Sequence, residues 1–142
     1  MILLLVHIEE GTDWFDDAYL ERVCEFIETR KPDRVVHMTS GIVDGVPHYS
    51  IRNLVDTEIE WGWGYDELDD DDPKEKPFVI PSYGHEYTWV PPSFRQGGDL
   101  WRLCRGNDVV IGGGIDGECL EDFRAILRWG FLNFRDERTI IF

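Results

Sequence analysis

Two apolar runs separated by an amphipathic helical pattern constrain the fold of this chain more than any other feature. The runs are Ile2–Ile8 and Arg34–Met38, and each has the composition of a strand buried on both faces. The predicted helix begins near Thr12 or Asp13 and ends at Lys31-Pro32, because a proline disfavours helix in the residue before it. Its apolar residues recur at helical spacing, at Leu20, Val23, Cys24 and Ile27. The pattern predicts a three-layer α/β fold, with a mainly parallel sheet and helices on both faces.

Residues 40 to 97 differ from the segments on either side of them. They hold many aromatic residues and prolines but no sustained helical period, so we predict an irregular β and aromatic insertion. Two runs within it, residues 57 to 65 and residues 85 to 89, alternate aromatic or aliphatic residues with other types. Such alternation is typical of half-buried strands.

The last part of the chain returns to alternating helix and strand signals. We predict a short helix capped by Asp99, a strand at Val109–Ile111 and a helix from about Gly117 to Trp129. Further strands are expected at Phe131–Phe134 and Thr139–Phe142. The chain has 142 residues and shows no internal repeat or domain boundary, so residues 1 to 142 are predicted to form a single domain.

An excess of acidic residues limits the partners of this chain. With a formal net charge of −15, it should avoid nucleic-acid backbones and anionic membranes, whereas a basic protein partner stays compatible with it. The apolar N-terminal run lacks a basic segment and meets Glu9 and Glu10 too soon for a signal peptide or a membrane span. Three cysteines without a CxxC spacing indicate neither a disulfide framework nor a zinc site. These features predict a cytoplasmic protein in a reducing compartment.

The densest chemical signal is Asp108–Gly130, where a strand runs through glycines into a helix that carries Cys119. Gly112, Gly114 and Gly117 satisfy the GxGxxG pattern, and Asp136 follows at about 20 residues, where a ribose-binding acid is expected. A dinucleotide-binding protein is therefore one alternative. Four acidic residues around the start of the helix would repel a pyrophosphate there: Asp116, Glu118, Glu121 and Asp122.

A second interpretation centres on Cys119. A thiol in the first turn of a helix lies beside free backbone N–H groups, which can lower its pKa and form an oxyanion site. The neighbouring acidic residues would raise the pKa of this thiol if they face it. A structural role and a nucleophilic role for Cys119 both stay open at this point.

The run from Val109 to Leu120, followed by Gly130-Phe131, resembles the nucleophile segment of the isochorismatase-like cysteine hydrolases. Their pattern is a strand, Gly-x-x-Thr-x-x-Cys-Val, a helix and Gly-Tyr. The resemblance implies a parallel sheet with helices on both sides and Cys119 as the nucleophile. In that family the first strand ends in a proton-accepting Asp, and His7 stands at about that place. The family's catalytic Lys has no counterpart, since no Lys follows Lys76, and Asp116 replaces the usual Thr.

Roles for the remaining candidate residues follow from this comparison. His7 is the expected general base for Cys119, because adjacent parallel strands bring their carboxyl ends to one edge of the sheet. Glu9 is expected to orient His7. The alternative for His7 is a buried strand histidine bonded to backbone. The expected substrate-binding residues are Gly113, Gly114, Ile115, Asp116, His85 and Trp89.

Neither a metal site nor a cofactor is predicted. Some amidases resembling this family hold a metal with one Asp and two His, and Asp44 and His48 are the residues to consider here. No ligand spacing in this sequence is diagnostic of a metal site. His37 and His85 are scattered in the same way. The aromatic residues of the middle segment suit the core or a subunit interface, which is compatible with a homo-oligomer.

Two classes of function lead at this stage. The first is a small-molecule hydrolase that acts on an amide or related carbonyl through Cys119. The second is a catalytically degenerate acidic α/β protein that binds a protein partner. Dinucleotide binding through Gly112, Gly114 and Gly117 is the third alternative.

Overall fold

The structure is a computed structural model that describes residues 1–12, 15–40, 46–61, 78–80, 88–90, 97–114, 119–130 and 136–139. These residues contain seven strands, three α-helices and a short 3-10 helix at Arg52–Leu54. The strands are β1 (Ile2–Val6), β2 (Arg34–Thr39), β3 (Thr57–Glu60), β4 (Phe78–Ile80), β5 (Thr88–Val90), β6 (Asp108–Gly113) and β7 (Asp136–Thr139). The helices are α1 (Asp17–Arg30), α2 (Asp99–Cys104) and α3 (Cys119–Gly130).

Five of these strands form one sheet in the order β3-β2-β1-β6-β7. Every neighbouring pair within it is parallel. Strand β1 lies at the centre, where Leu4 is in register with Val36 of β2 and with Ile111 of β6. Strands β4 and β5 form a separate antiparallel pair. The prediction of an α/β fold built on a parallel sheet is confirmed.

The side chains of the sheet divide between two apolar cores. On one face, Leu3 and Leu5 pack with Leu20 and Val23 of α1. On the other face, alternate residues of the same strand join α2 and α3 in a core that includes Leu4, Val6, Leu100, Phe123 and Ile126. Because both faces of the central strands are covered, these strands appear in the sequence as continuous apolar runs.

Helix α1 begins later than the sequence predicts. Its N-cap is Asp16, whose side chain accepts a hydrogen bond from the backbone N–H of Tyr19 at 2.7 Å. Thr12 instead donates its hydroxyl proton to the carbonyl oxygen of Glu9 at 2.8 Å, which holds the preceding loop. The predicted end is confirmed, since Lys31 caps the helix in the left-handed conformation with φ 47°.

Other boundaries shift by a few residues. Asp99, predicted as a cap, is the first residue of α2, and Gly98 caps it. Strand β3 covers only the start of the alternating run at residues 57 to 65, of which residues 62–65 lie outside the described residues. Strand β7 begins after the first of the two segments predicted as the last strands and overlaps the second only at Thr139; residues 131–135 and 140–142 lie outside the described part. None of the described helices is long and apolar enough to cross a membrane.

Candidate functional site

The order of the strands reverses between β1 and β6. From β1 the chain proceeds outward through β2 and β3 on one side, and later forms β6 and β7 on the other side. In open parallel sheets such a switch point leaves a crevice outside the carboxyl ends of the strands, where ligands bind. Val6 of β1 is opposite Gly113 of β6, so both strands end at the same level. The residues that follow them, His7 and Gly114, therefore lie at the switch point.

Strand β6 ends in Gly113 and Gly114, which we name the glycine turn. Both residues are left-handed, with φ of 84° and 62°. A Cβ on Gly113 would lie 2.5 Å from the carbonyl oxygen of Val6, and a Cβ on Gly114 would lie 2.7 Å from Sγ of Cys119. The two glycines are thus required both by the backbone conformation and by the close approach of β1 and α3.

Cys119 is the first residue of α3 and lies beside the glycine turn. Its side chain is partly buried and packs against the core beneath α2 and α3. Glu121, in the same helical turn, forms an ion pair with Arg124. This ion pair compensates one of the acidic charges that would otherwise disfavour a thiolate at Cys119. Asp122, also in this turn, is buried. The fold brings a partly exposed thiol to the N-terminus of a helix at the switch point.

Tyr19 contacts the glycine turn from the opposite face of the sheet, and the sequence interpretation missed it. Its hydroxyl oxygen accepts a hydrogen bond from the backbone N–H of Gly113 at 2.8 Å. Burial raises the pKa of Tyr19 to about 12, the bond from Gly113 and the charge of Arg22 act to lower it, and the charge of Cys119 raises it. The sequence could have indicated Tyr19 as a site residue. It lies in the first turn of a helix that follows a strand, and such a turn lies at the carboxyl edge of the sheet.

His7 stands at the end of β1 in a left-handed conformation, with φ 53°. Its ring is buried, stacks on Trp61 with ring centroids 5.0 Å apart, and donates from Nε2 to the Trp61 carbonyl oxygen at 2.7 Å. Burial lowers the pKa of His7, and the bond to Trp61 acts in the opposite direction. The ring is therefore neutral near pH 7, with its proton on Nε2 and its basic nitrogen at Nδ1.

A chain of aromatic contacts connects His7 with α3. The ring of Trp61 packs on Phe123 with centroids 5.2 Å apart. Phe123 is four residues after Cys119 and shares its helix face. Cys119 packs against the same apolar core, which includes Trp61 and Phe123.

Glu9 binds Ser40 rather than His7. One carboxylate oxygen accepts the backbone N–H of Ser40, and the other accepts the Ser40 hydroxyl proton at 2.5 Å. Burial raises the pKa of Glu9, the two bonds from Ser40 act to lower it, and the nearby charge of Glu58 raises it. The ring of His7 takes its orientation from Trp61, so the predicted orienting role of Glu9 has no support in these contacts.

His37 is buried next to this group without a hydrogen-bond partner. Its side chain is 0% exposed, and neither Nδ1 nor Nε2 has a partner within the described structure. Burial, together with a smaller contribution from the neighbouring His7, lowers the pKa of His37 to about 4. We name the buried polar residues at the ends of β1 and β2 the polar cluster; they are His7, Glu9, His37, Thr39 and Ser40.

Several predicted site residues lie outside the described residues. These are Ile115, Asp116, His85, Asp44 and Gly117. Trp89 belongs to β5, whose backbone pairs with β4. His48 accepts a long hydrogen bond at Nδ1 from the backbone N–H of Ser50, at 3.5 Å. Among the residues that can be described, no three His, Cys, Asp or Glu side chains are grouped so that they could hold a metal ion.

Asp136 lies away from the glycine turn. It is the first residue of β7 and is in register with Asp108, the first residue of β6. The glycine turn lies at the other end of β6, at Gly113. At about 3.3 Å per residue, the five residues from Asp108 to Gly113 place the two ends of β6 roughly 16 Å apart. Asp136 therefore lacks the position of the ribose-binding acid that the dinucleotide alternative requires.

Comparison with known proteins gave no relative: no family model matches the chain, and no similar curated protein and no similar solved structure was found.

Proposed function

We propose that the protein is a small-molecule hydrolase that cleaves an amide or a related carbonyl compound with Cys119 as its nucleophile. The observation that carries the proposal is the position of this thiol. It is partly exposed at the first residue of α3, and its Sγ rests on the glycine turn at the switch point of a parallel sheet. This is the edge at which open α/β sheets bind their ligands.

The proposed reaction proceeds in two steps. Sγ of Cys119 attacks the carbonyl carbon, the leaving amine departs with a proton, and a thioester remains on the sulfur. Water then adds to the thioester carbonyl, which releases the acid and returns the proton to the thiol. The positive end of the helix dipole, at the start of α3, is suited to stabilise the oxyanion of each step.

His7 is the proposed base for this thiol. Since its Nε2 donates to the Trp61 carbonyl, the nitrogen that can accept a proton is Nδ1. The lowered pKa keeps the ring neutral near pH 7, which is the form that a base needs. Cys24, Cys104 and Cys119 form no disulfide, and the proposal includes a reducing, cytoplasmic location in which Cys119 stays reduced.

The proposal is tested by the reactivity of each cysteine. After exposure to p-nitrophenyl acetate, peptide mass spectrometry should find the acetyl group on Cys119, and Cys119→Ala should abolish this adduct. Alkylation of Cys119 near pH 7 should exceed that of Cys24 by at least about tenfold, because only an activated thiol is largely ionised there. Cys104 is the negative control, since it is buried and burial raises its pKa to about 12.

Equal alkylation of Cys119 and Cys24, with no acetyl adduct, would reject the hydrolase. The acidic protein-binding domain would then be the better account of this chain, since the buried His7 and Glu9 are already bonded to Trp61 and Ser40. That alternative requires a basic partner whose association weakens as salt is added, given the net charge of −15.

A further inference from the structure

Tyr19 is held in place at both ends. Its backbone N–H is bonded to the side chain of Asp16, the N-cap of α1, at 2.7 Å. Its hydroxyl oxygen accepts the N–H of Gly113 at 2.8 Å. The phenol therefore bridges the start of α1 and the end of β6, and a change of its χ1 rotamer would break the second of these bonds.

Tyr19 and Cys119 contact consecutive residues of the glycine turn. The tyrosine hydroxyl is bonded to Gly113, while Sγ of Cys119 lies 2.7 Å from where a Cβ on Gly114 would be. The two side chains are close enough that a charge on Cys119 contributes to the raised pKa of Tyr19. Since that pKa is about 12, the phenol keeps its proton at neutral pH and has an O–H to donate.

We propose that Tyr19 is a positioning residue of the Cys119 site, which fixes the glycine turn and stabilises the thiolate through the dipole of its hydroxyl group. The bond from Gly113 polarises the hydroxyl, which strengthens any hydrogen bond that the hydroxyl itself donates. A hydrogen bond or dipole directed at the charged form of a thiol lowers its pKa. This inference rests on the proposed function, since it concerns activation of the same cysteine.

The test is the pH dependence of alkylation at each cysteine in the intact chain, compared between the native protein and Tyr19→Phe. Loss of the hydroxyl should raise the pKa of Cys119 by about 1 unit, because a stabilising partner of the thiolate is removed. Cys24 is the internal control. It lies on α1, as Tyr19 does, and its Sγ is directed to the carbonyl oxygen of Ser50. An unchanged pKa of Cys119, or an equal shift at Cys24, would overturn the inference.

A second variant keeps the test informative if Tyr19→Phe does not fold. Site-specific replacement of Tyr19 by 3-fluorotyrosine retains the ring and its hydroxyl but makes the phenol more acidic, and so a stronger donor. The pKa of Cys119 should then fall. A rise, or no change, would contradict a role of the hydroxyl in stabilising the thiolate.

The two hypotheses fail separately. If Cys119 becomes acetylated but its pKa is the same in both proteins, the hydrolase stands and the role of Tyr19 falls. If the pKa of Cys119 shifts as expected but no acetyl group is transferred, Tyr19 does tune the thiol and the hydrolase falls.

Discussion

The two sides of β1 differ in the way their polar groups are arranged. Toward β6, the site consists of main-chain groups of the glycine turn and one partly exposed thiol, Cys119. Toward β2, the polar cluster consists of side chains that are all buried. The first side depends on the absence of side chains, because β1 and α3 approach the turn closely. At His7 and Glu9 the second side depends on hydrogen bonds, because buried polar groups need partners, whereas His37 has none within the described structure.

The two sides of β1 therefore differ in how exposed their polar groups are. The thiol of Cys119 on the β6 side is partly exposed, whereas the polar groups on the β2 side are buried. His7 belongs to both sides, since it lies at the switch point but is bonded to Trp61. The comparison predicts that variants on the β6 side fail for steric reasons and that variants on the β2 side fail through unpaired polar groups.

The largest effect is expected at Gly113. In Gly113→Ala the new Cβ would lie 2.5 Å from the carbonyl oxygen and 2.8 Å from the nitrogen of Val6, at a φ of +84°. Overpacking and left-handed strain together should lower the free energy of unfolding by about 4 kcal/mol. Urea denaturation followed by circular dichroism measures this change.

Gly106→Ala is the matched control for this variant. Gly106 has a similar φ of +77°, but a Cβ there would meet nothing within 4 Å. Only the backbone strain remains, so the loss should be about 1 kcal/mol. If both variants lose the same stability, close packing of β1 and β6 does not explain the glycine turn.

Both the sheet and the glycine turn could be predicted because their signals are local. Strands buried on two faces leave continuous apolar runs, and a left-handed turn leaves glycines. The partners of His7 and Glu9 could not be predicted, because Trp61 and Ser40 are distant in sequence and meet these residues only in the folded sheet. The left-handed φ of His7 was missed for a related reason, since it occurs at a non-glycine residue that tertiary contacts hold in place.

The next effect is expected at Glu9, on the β2 side. Glu9→Ala removes two hydrogen bonds from Ser40, one from its buried N–H and one from its buried hydroxyl group. We expect a loss of about 3 kcal/mol in the free energy of unfolding, measured by urea denaturation at pH 7.

The neighbouring Glu10→Ala supplies the comparison. Glu10 forms an ion pair with Arg52 in which both side chains are more than 40% exposed, at 43% and 42%. Such surface pairs contribute about 0 to 1 kcal/mol. A loss at Glu10 as large as that at Glu9 would show that burial of the carboxylate is not what matters on this side of β1.

The smallest effect at neutral pH, and the one with an opposite sign, is expected at His37. Two unpartnered ring nitrogens are buried there, so His37→Leu should raise the free energy of unfolding at pH 7 by about 1 kcal/mol. Thermal and urea denaturation between pH 4 and pH 8 would measure this gain together with its pH dependence.

The pH dependence follows from the lowered pKa of His37. Since that pKa falls from 6.5 to about 4 on folding, its neutral form is favoured in the folded state. The stability associated with it is fully present above pH 6.5 and is lost as the pH falls toward 4. His37→Leu should make this acid loss shallower, although His7, whose pKa is also lowered, should retain part of it. Glu9 acts in the opposite direction because its pKa is raised, so the acid loss of His37→Leu is compared with that of the native protein, in which Glu9 is unchanged. An acid loss that is equally steep in both proteins would show that His37 is not the group that couples the β2 side to pH.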